Sequence, residues 1–175
     1  SLVISGSIDQ YWGENVLPQV FQVQSSSWRD LTDAQIGLGG YPRMHLAPNG
    51  QVFNSDPTTA TRYLDTSGTG AWSLVANRSV NVYRDYASSM MYDDGKILVI
   101  GGGDPPTNTA EVIDLNASTP AWRSVPSMAF ARRHLNATLL PDGKVVATGG
   151  TSGPGFNNPN TPVFAAEMWD PATEN

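Results

Sequence analysis

Apolar residues in this chain come in short runs bounded by glycine, proline, asparagine and aspartate, not in helical stripes. Three runs follow a turn dipeptide: Gln51-Val52-Phe53 after Asn49-Gly50, Lys96-Ile97-Leu98-Val99-Ile100 after Asp94-Gly95, and Lys144-Val145-Val146-Ala147-Thr148 after Asp142-Gly143. Each run closes on two small residues, Asn54-Ser55, Gly101-Gly102 and Gly149-Gly150. Leu2-Val3-Ile4 with Ser5-Gly6 is a fourth instance that lacks its turn. The second member of the pair falls at positions 6, 55, 102 and 150, so the unit repeats every 47 to 49 residues. Each unit lays out as four strands. The innermost precedes the turn (86–91, 135–140), and the turn dipeptide predicts a tight reversal whose central residues adopt positive φ. A third strand follows the small pair after a loop (19–23, 61–64, 110–115, 165–170). An outermost strand carries Trp28, Trp72 or Trp122.

A period of ~50 residues with several short strands per unit predicts an all-β, kelch-type β-propeller. The chain accounts for about three and a half four-stranded blades of an incomplete propeller, expected to be seven-bladed, in one partial domain over 1–175. Its repeats run approximately over 1–31, 41–75, 83–125 and 130–175. Closure takes ~4 to 8 blades, so the chain reads as an internal piece whose expected partner is the remainder of its own propeller. The tryptophans, each able to bury ~150–250 Å², are expected to pack blade against blade. The glycine pairs are expected to allow close backbone approach, because Pro105-Pro106 and Gly153-Pro154-Gly155 follow them and no helix starts there to cradle a phosphate.

Charge and composition narrow the function. The net charge is −6 with no basic run, a poor match for a phosphate backbone, so no nucleic-acid partner is expected. No apolar run approaches the ~20 residues that cross a bilayer, and no membrane partner is expected. The absence of cysteine excludes disulfides and thiolate metal sites within the chain. No serine sits in a strand-turn-helix context, and Asp104, Glu111 and Asp114 do not follow a calcium-loop spacing; they read as solvated strand edges.

Tyr86 to Gly95 followed by Lys96 to Gly102, Phe130-Ala131-Arg132-Arg133-His134 leading to Leu140-Pro141-Asp142-Gly143, and Thr161-Pro162-Val163-Phe164 before Ala166-Glu167-Met168 together carry a family likeness. In order and spacing the chain resembles the kelch propeller of galactose oxidase and glyoxal oxidase-like copper radical oxidases over essentially its whole length. The resemblance implies a secreted or cell-surface oxidase acting with O₂ on a small alcohol, aldehyde or carbohydrate to give H₂O₂. It also implies a copper ion and a Cys-Tyr radical cofactor in the parent protein. In that family the copper is held by two histidines, an axial tyrosine and a cysteine-linked tyrosine. By alignment the linked tyrosine falls just before Ser1 and the Tyr-His pair in the repeat after Asn175, so no metal ligand, catalytic residue or cofactor is expected in this chain. A kelch-repeat binding or adhesion module without catalysis is the alternative.

Several residues nevertheless occupy suggestive places. Arg133-His134 lies where the family's Tyr-His pair sits in its own repeat. Tyr86 stands nine residues before Gly95, the offset of the crosslinked tyrosine, and His45 accompanies Tyr41 in another inner strand. Tyr41, Tyr86, Arg133 and His134 are the candidates for lining the central channel. In the loop Ile8-Asp9-Gln10-Tyr11-Trp12, Ile8 takes the slot of the family's shielding tryptophan, so Tyr11 and Trp12 are the candidates for contact with substrate or with the groups around it.

Overall fold

The computed structural model describes residues 2–4, 6, 11, 13–39, 41–156 and 158–175. Its elements are strands joined by turns and loops. β1 (Leu2–Ile4), β2 (Gln19–Gln22) and β3 (Ser27–Asp30) form one antiparallel sheet in that order. β4 (Arg43–Leu46), β5 (Val52–Asp56), β6 (Ala60–Asp65) and β7 (Ala71–Asn77) form a second. The third is β8 (Ser88–Asp93), β9 (Lys96–Ile100), β10 (Ala110–Asp114) and β11 (Arg123–Val125), and the fourth is β12 (Asn136–Leu139), β13 (Val145–Thr148) and β14 (Glu167–Trp169). In every sheet the strands pair in chain order, the meander of a propeller blade.

The cores lie between the blades. β9 shows why: Ile97 and Val99 point into a cluster with Phe53, Ala47 and Trp122, whereas Leu98 and Ile100 point into another with Val145, Ala147 and Leu135. A strand buried on both faces must be apolar at every position, which is why 97–100 is an unbroken run. A third cluster, Val20, Leu31, Ala34 and Leu64, joins the first two blades.

Trp72 and Trp122 act as inter-blade wedges, as expected, whereas Trp28 does not. Trp122 is 7% exposed; its indole N–H donates to Thr61 Oγ1 of the preceding blade at 3.0 Å, and its ring meets Phe53. Trp72 donates to the Ala34 carbonyl at 2.6 Å. Trp28, in the first of these blades, is 47% exposed and packs on Phe21 within its own sheet. The small pairs permit close backbone approach. A Cβ on Gly102 would meet Ala87 at 2.7 Å, one on Gly101 would meet the Arg132 carbonyl at 2.5 Å, and one on Gly150 would clash with the Arg133 carbonyl.

Two expectations need correction. In the inner turns only the glycine is left-handed, with φ of 82° at Gly50, 68° at Gly95 and 84° at Gly143; Asn49, Asp94 and Asp142 are not. In the first and third turns the reason is the preceding proline. Pro48 and Pro141 fix a negative φ, the Asn49 and Asp142 side chains accept from the backbone N–H two residues on, and the glycine alone absorbs the reversal. Secondly, Glu111 is no solvated edge. It is fully buried, with Arg84 at 2.9 Å, Ser79 Oγ at 2.7 Å and the Val80 N–H at 2.9 Å on its carboxylate. Arg132 and Glu167 form the corresponding pair in the next blade. A carboxylate goes inside when the fold supplies an equally buried guanidinium, a long-range pairing that strand alternation does not reveal.

Candidate functional site

Antiparallel meanders send all the loops that enter an inner strand, and all those that leave the second strand, to one end of the molecule. Tyr41, Tyr86 and His134 each stand nine residues before a turn glycine, Gly50, Gly95 and Gly143, and so occupy one position in three consecutive blades. They meet. The rings of Tyr86 and His134 stack at 4.1 Å between centroids and 33°, and Tyr41 lies 5.8 Å from Tyr86 on the other side. The His134 backbone N–H donates to the Tyr86 carbonyl at 3.0 Å. Both residues adopt positive φ, 54° and 57°, a conformation uncommon for non-glycine residues.

Phe156 completes the group. Its ring stands at 76° to Tyr86 and 87° to His134, with both centroids at 5.3 Å, and its carbonyl accepts from His134 Nε2 at 2.6 Å. Tyr41 and Phe156 remain 66% and 65% exposed, so the cluster presents apolar ring surface to solvent. Burial, with the negative potential of Tyr41 and Asp85, raises the Tyr86 hydroxyl above the usual phenol range; Arg133 opposes this. Tyr86 therefore stays protonated and neutral at physiological pH.

Arg133 does not present its side chain to solvent. It is 2% exposed, lies 5.1 Å over the Tyr86 ring, and pairs with Asp85 at 2.7 Å and Asp104 at 3.0 Å. Tyr11 is 80% exposed in its loop, and Trp12 lies outside the described residues, as does Ile8. Phe156 is not among the residues that the sequence alone singles out. The signal available was its place directly after Gly153-Pro154-Gly155, a tight turn in the long loop between the second and third strands of its blade.

His45 lies elsewhere, between the second and third blades. Its Nε2 is 2.8 Å from Ser89 Oγ and 3.4 Å from Ser55 Oγ, and the two hydroxyls are 2.8 Å apart. Burial, helped by the nearby Arg43, lowers its pKa to about 4, so the ring is neutral near pH 7. Among the described residues no three His, Cys, Asp or Glu side chains converge on a point that could hold a metal. With His45 committed to two serines and His134 to a carbonyl in another inter-blade space, the donor set here does not fit a copper centre. A cleft of about 700 Å³ at the opposite, turn-side end is lined by Tyr92, Lys96, Asp114, Arg123 and Glu174. Its Lys96 pairs with Asp93 and its Arg123 with Glu174, which leaves it without the convergent aromatic surface of the other end.

Comparison with known proteins agrees with this architecture. The Kelch motif family matches residues 86–129, which span β8 to β11. Galactose oxidase of Gibberella zeae is 30% identical over 180 aligned positions, covering 87% of this chain and 26% of that protein. The chain is galactose oxidase-like: a kelch-type β-propeller segment. A fungal alcohol oxidase of the AA5 family, solved in complex with copper, shares its fold with a TM-score of 0.87 at 23% identity, covering 99% of this chain and 40% of that one. An F-box/kelch-repeat protein of Arabidopsis thaliana is 35% identical over half of the chain. The galactose oxidase-like segment thus spans about a quarter of its Gibberella relative and two fifths of the alcohol oxidase.

Proposed function

We propose that this segment is the propeller scaffold of a copper radical oxidase, and that its aromatic end forms part of the wall of a pocket for a small primary alcohol, aldehyde or carbohydrate. Support comes from the likeness to galactose oxidase across 87% of the chain, together with four rings from consecutive blades gathered at one end. Copper and a Cys-Tyr cofactor, carried on stretches outside this chain, would supply the two-electron oxidation that yields H₂O₂. The residues here would bind and orient. The ring faces of Tyr41, Tyr86 and Phe156 suit the C–H face of a sugar or the body of an alcohol, and the neutral Tyr86 hydroxyl can donate or accept a hydrogen bond. As in the oxidases it resembles, the protein would act outside the cell.

The test is steady-state oxidation by the intact, copper-loaded protein. Phe156→Ala and Tyr86→Leu should each raise KM about tenfold, the scale of ~1.4 kcal/mol of lost apolar contact, and leave kcat within a few-fold. Unchanged KM in both variants would remove the aromatic wall from the account. A kelch-type binding module is the second reading, favoured by the match to the F-box/kelch-repeat protein. Complete absence of turnover would select it.

A further inference from the structure

Arg133 and Asp85 occupy the same repeat position, each ten residues before its turn glycine, yet they carry opposite charges and pair with each other across neighbouring blades. This pairing is therefore not part of the repeating architecture. The repeating ion pairs are the ones one residue earlier, Arg84 with Glu111 and Arg132 with Glu167, each tying a blade to its own third strand. The contacts of Arg133 run instead towards the aromatic end. Nη2 donates to Asp85 Oδ2, while Nη1 pairs with Asp104 Oδ2 at 3.0 Å and donates to the Gly155 carbonyl at 2.9 Å. The other oxygen of Asp104 accepts from the Gly155 N–H at 3.0 Å. Arginine and aspartate thus hold both polar groups of one peptide residue, Gly155, whose φ of 93° only glycine adopts readily, and the next residue is Phe156.

We infer that Arg133 is the positioning residue of this site: with Asp104 it clamps Gly155 and so fixes the Phe156 ring at right angles to the Tyr86–His134 stack. The inference rests on the reading that this end is the substrate wall, because a held ring matters to function only if a ligand meets it. A planar guanidinium is needed, since one side chain must reach two carboxylates and a carbonyl while lying over the Tyr86 face. Holding the ring in its binding position lowers the ordering cost when ligand arrives, an effect expressed in KM.

The test combines amide hydrogen exchange with kinetics in the intact protein. In Arg133→Met, the hydrogen-bonded amides of Gly153, Gly155 and Asn160 should exchange at least tenfold faster, with β9 and β13 still protected. Arg133→Lys should recover part of that protection, and Asp104→Asn should loosen the same stretch. KM should rise about tenfold with kcat within twofold in Arg133→Met and partly return in Arg133→Lys, a split and rescue that simple destabilisation would not produce. Should Arg133→Met lose protection throughout, Asp104→Asn decides, because its carboxylate is half exposed and its loss leaves the guanidinium paired with Asp85. Native exchange rates at the Gly153, Gly155 and Asn160 amides in Asp104→Asn, or a Lys variant as impaired as the Met variant, would overturn the inference. A wild-type protein without turnover would sink the oxidase reading while leaving the exchange result to judge the clamp.

Discussion

Single side chains in this protein are fixed by what faces them from the next blade, and His45 shows the thermodynamic consequence. Its pKa is about 4 in the fold against an ordinary value of 6.5, so between those pH values the unfolded chain binds the extra proton and the folded chain does not. Stability is therefore fully present above pH ~6.5 and declines as pH falls towards 4. The slope attributable to this ring approaches 1.4 kcal/mol per pH unit, and the total is about 3 kcal/mol. Among the described residues, Arg43, Ser55 and Ser89 are the polar groups shown to act on it, and none of the three offers a carboxylate to accommodate the cation. Urea midpoints of wild type and His45→Gln measured from pH 7.5 to 4 check this. The wild-type curve should fall more steeply, and parallel curves would reject it. At this scale the sequence was legible where position in the repeat determines environment, as for Trp72 and Trp122. It was not legible where a partner comes from another blade: Glu111 needs Arg84 to be buried, and Phe156 gains its role only beside Tyr86 and His134.

The elements were more readable, because strand, turn and small pair are local signals. The apolar run at 97–100, the small pairs that close the second strands and the turn glycines specify blades without reference to the whole. The turn conformation was the exception, because Pro48 and Pro141 leave the left-handed residue to glycine alone. This separates two kinds of glycine that look alike in sequence. Gly143 has φ 84° and open space around a would-be Cβ, so Gly143→Ala should cost only the left-handed penalty of about 1 kcal/mol. Gly102 has φ 79° and Ala87 at 2.7 Å, so Gly102→Ala should add steric overlap and cost about 2–4 kcal/mol. Chemical denaturation of the two variants measures the difference; equal losses would mean that Gly102 and Ala87 of the third blade are not in close contact.

At the scale of the molecule, blades joined through Trp72, Trp122 and the β9 core create two unlike ends. The turn end carries a mixed-charge cleft, and the other end gathers Tyr41, Tyr86, His134 and Phe156. The period of 47 to 49 residues predicted the sheets and the kelch-type architecture, and the position shared by Tyr41, Tyr86 and His134 was present in the same arithmetic. Their convergence is a property of stacking the repeats about an axis, which no single repeat contains. Peroxide yield is the direct test of the oxidase reading. The intact protein, loaded with copper and supplied with O₂ and a panel of primary alcohols, aldehydes and galactosides, should release one H₂O₂ per substrate oxidised for at least one member. Binding of such compounds without any peroxide or O₂ uptake would contradict it.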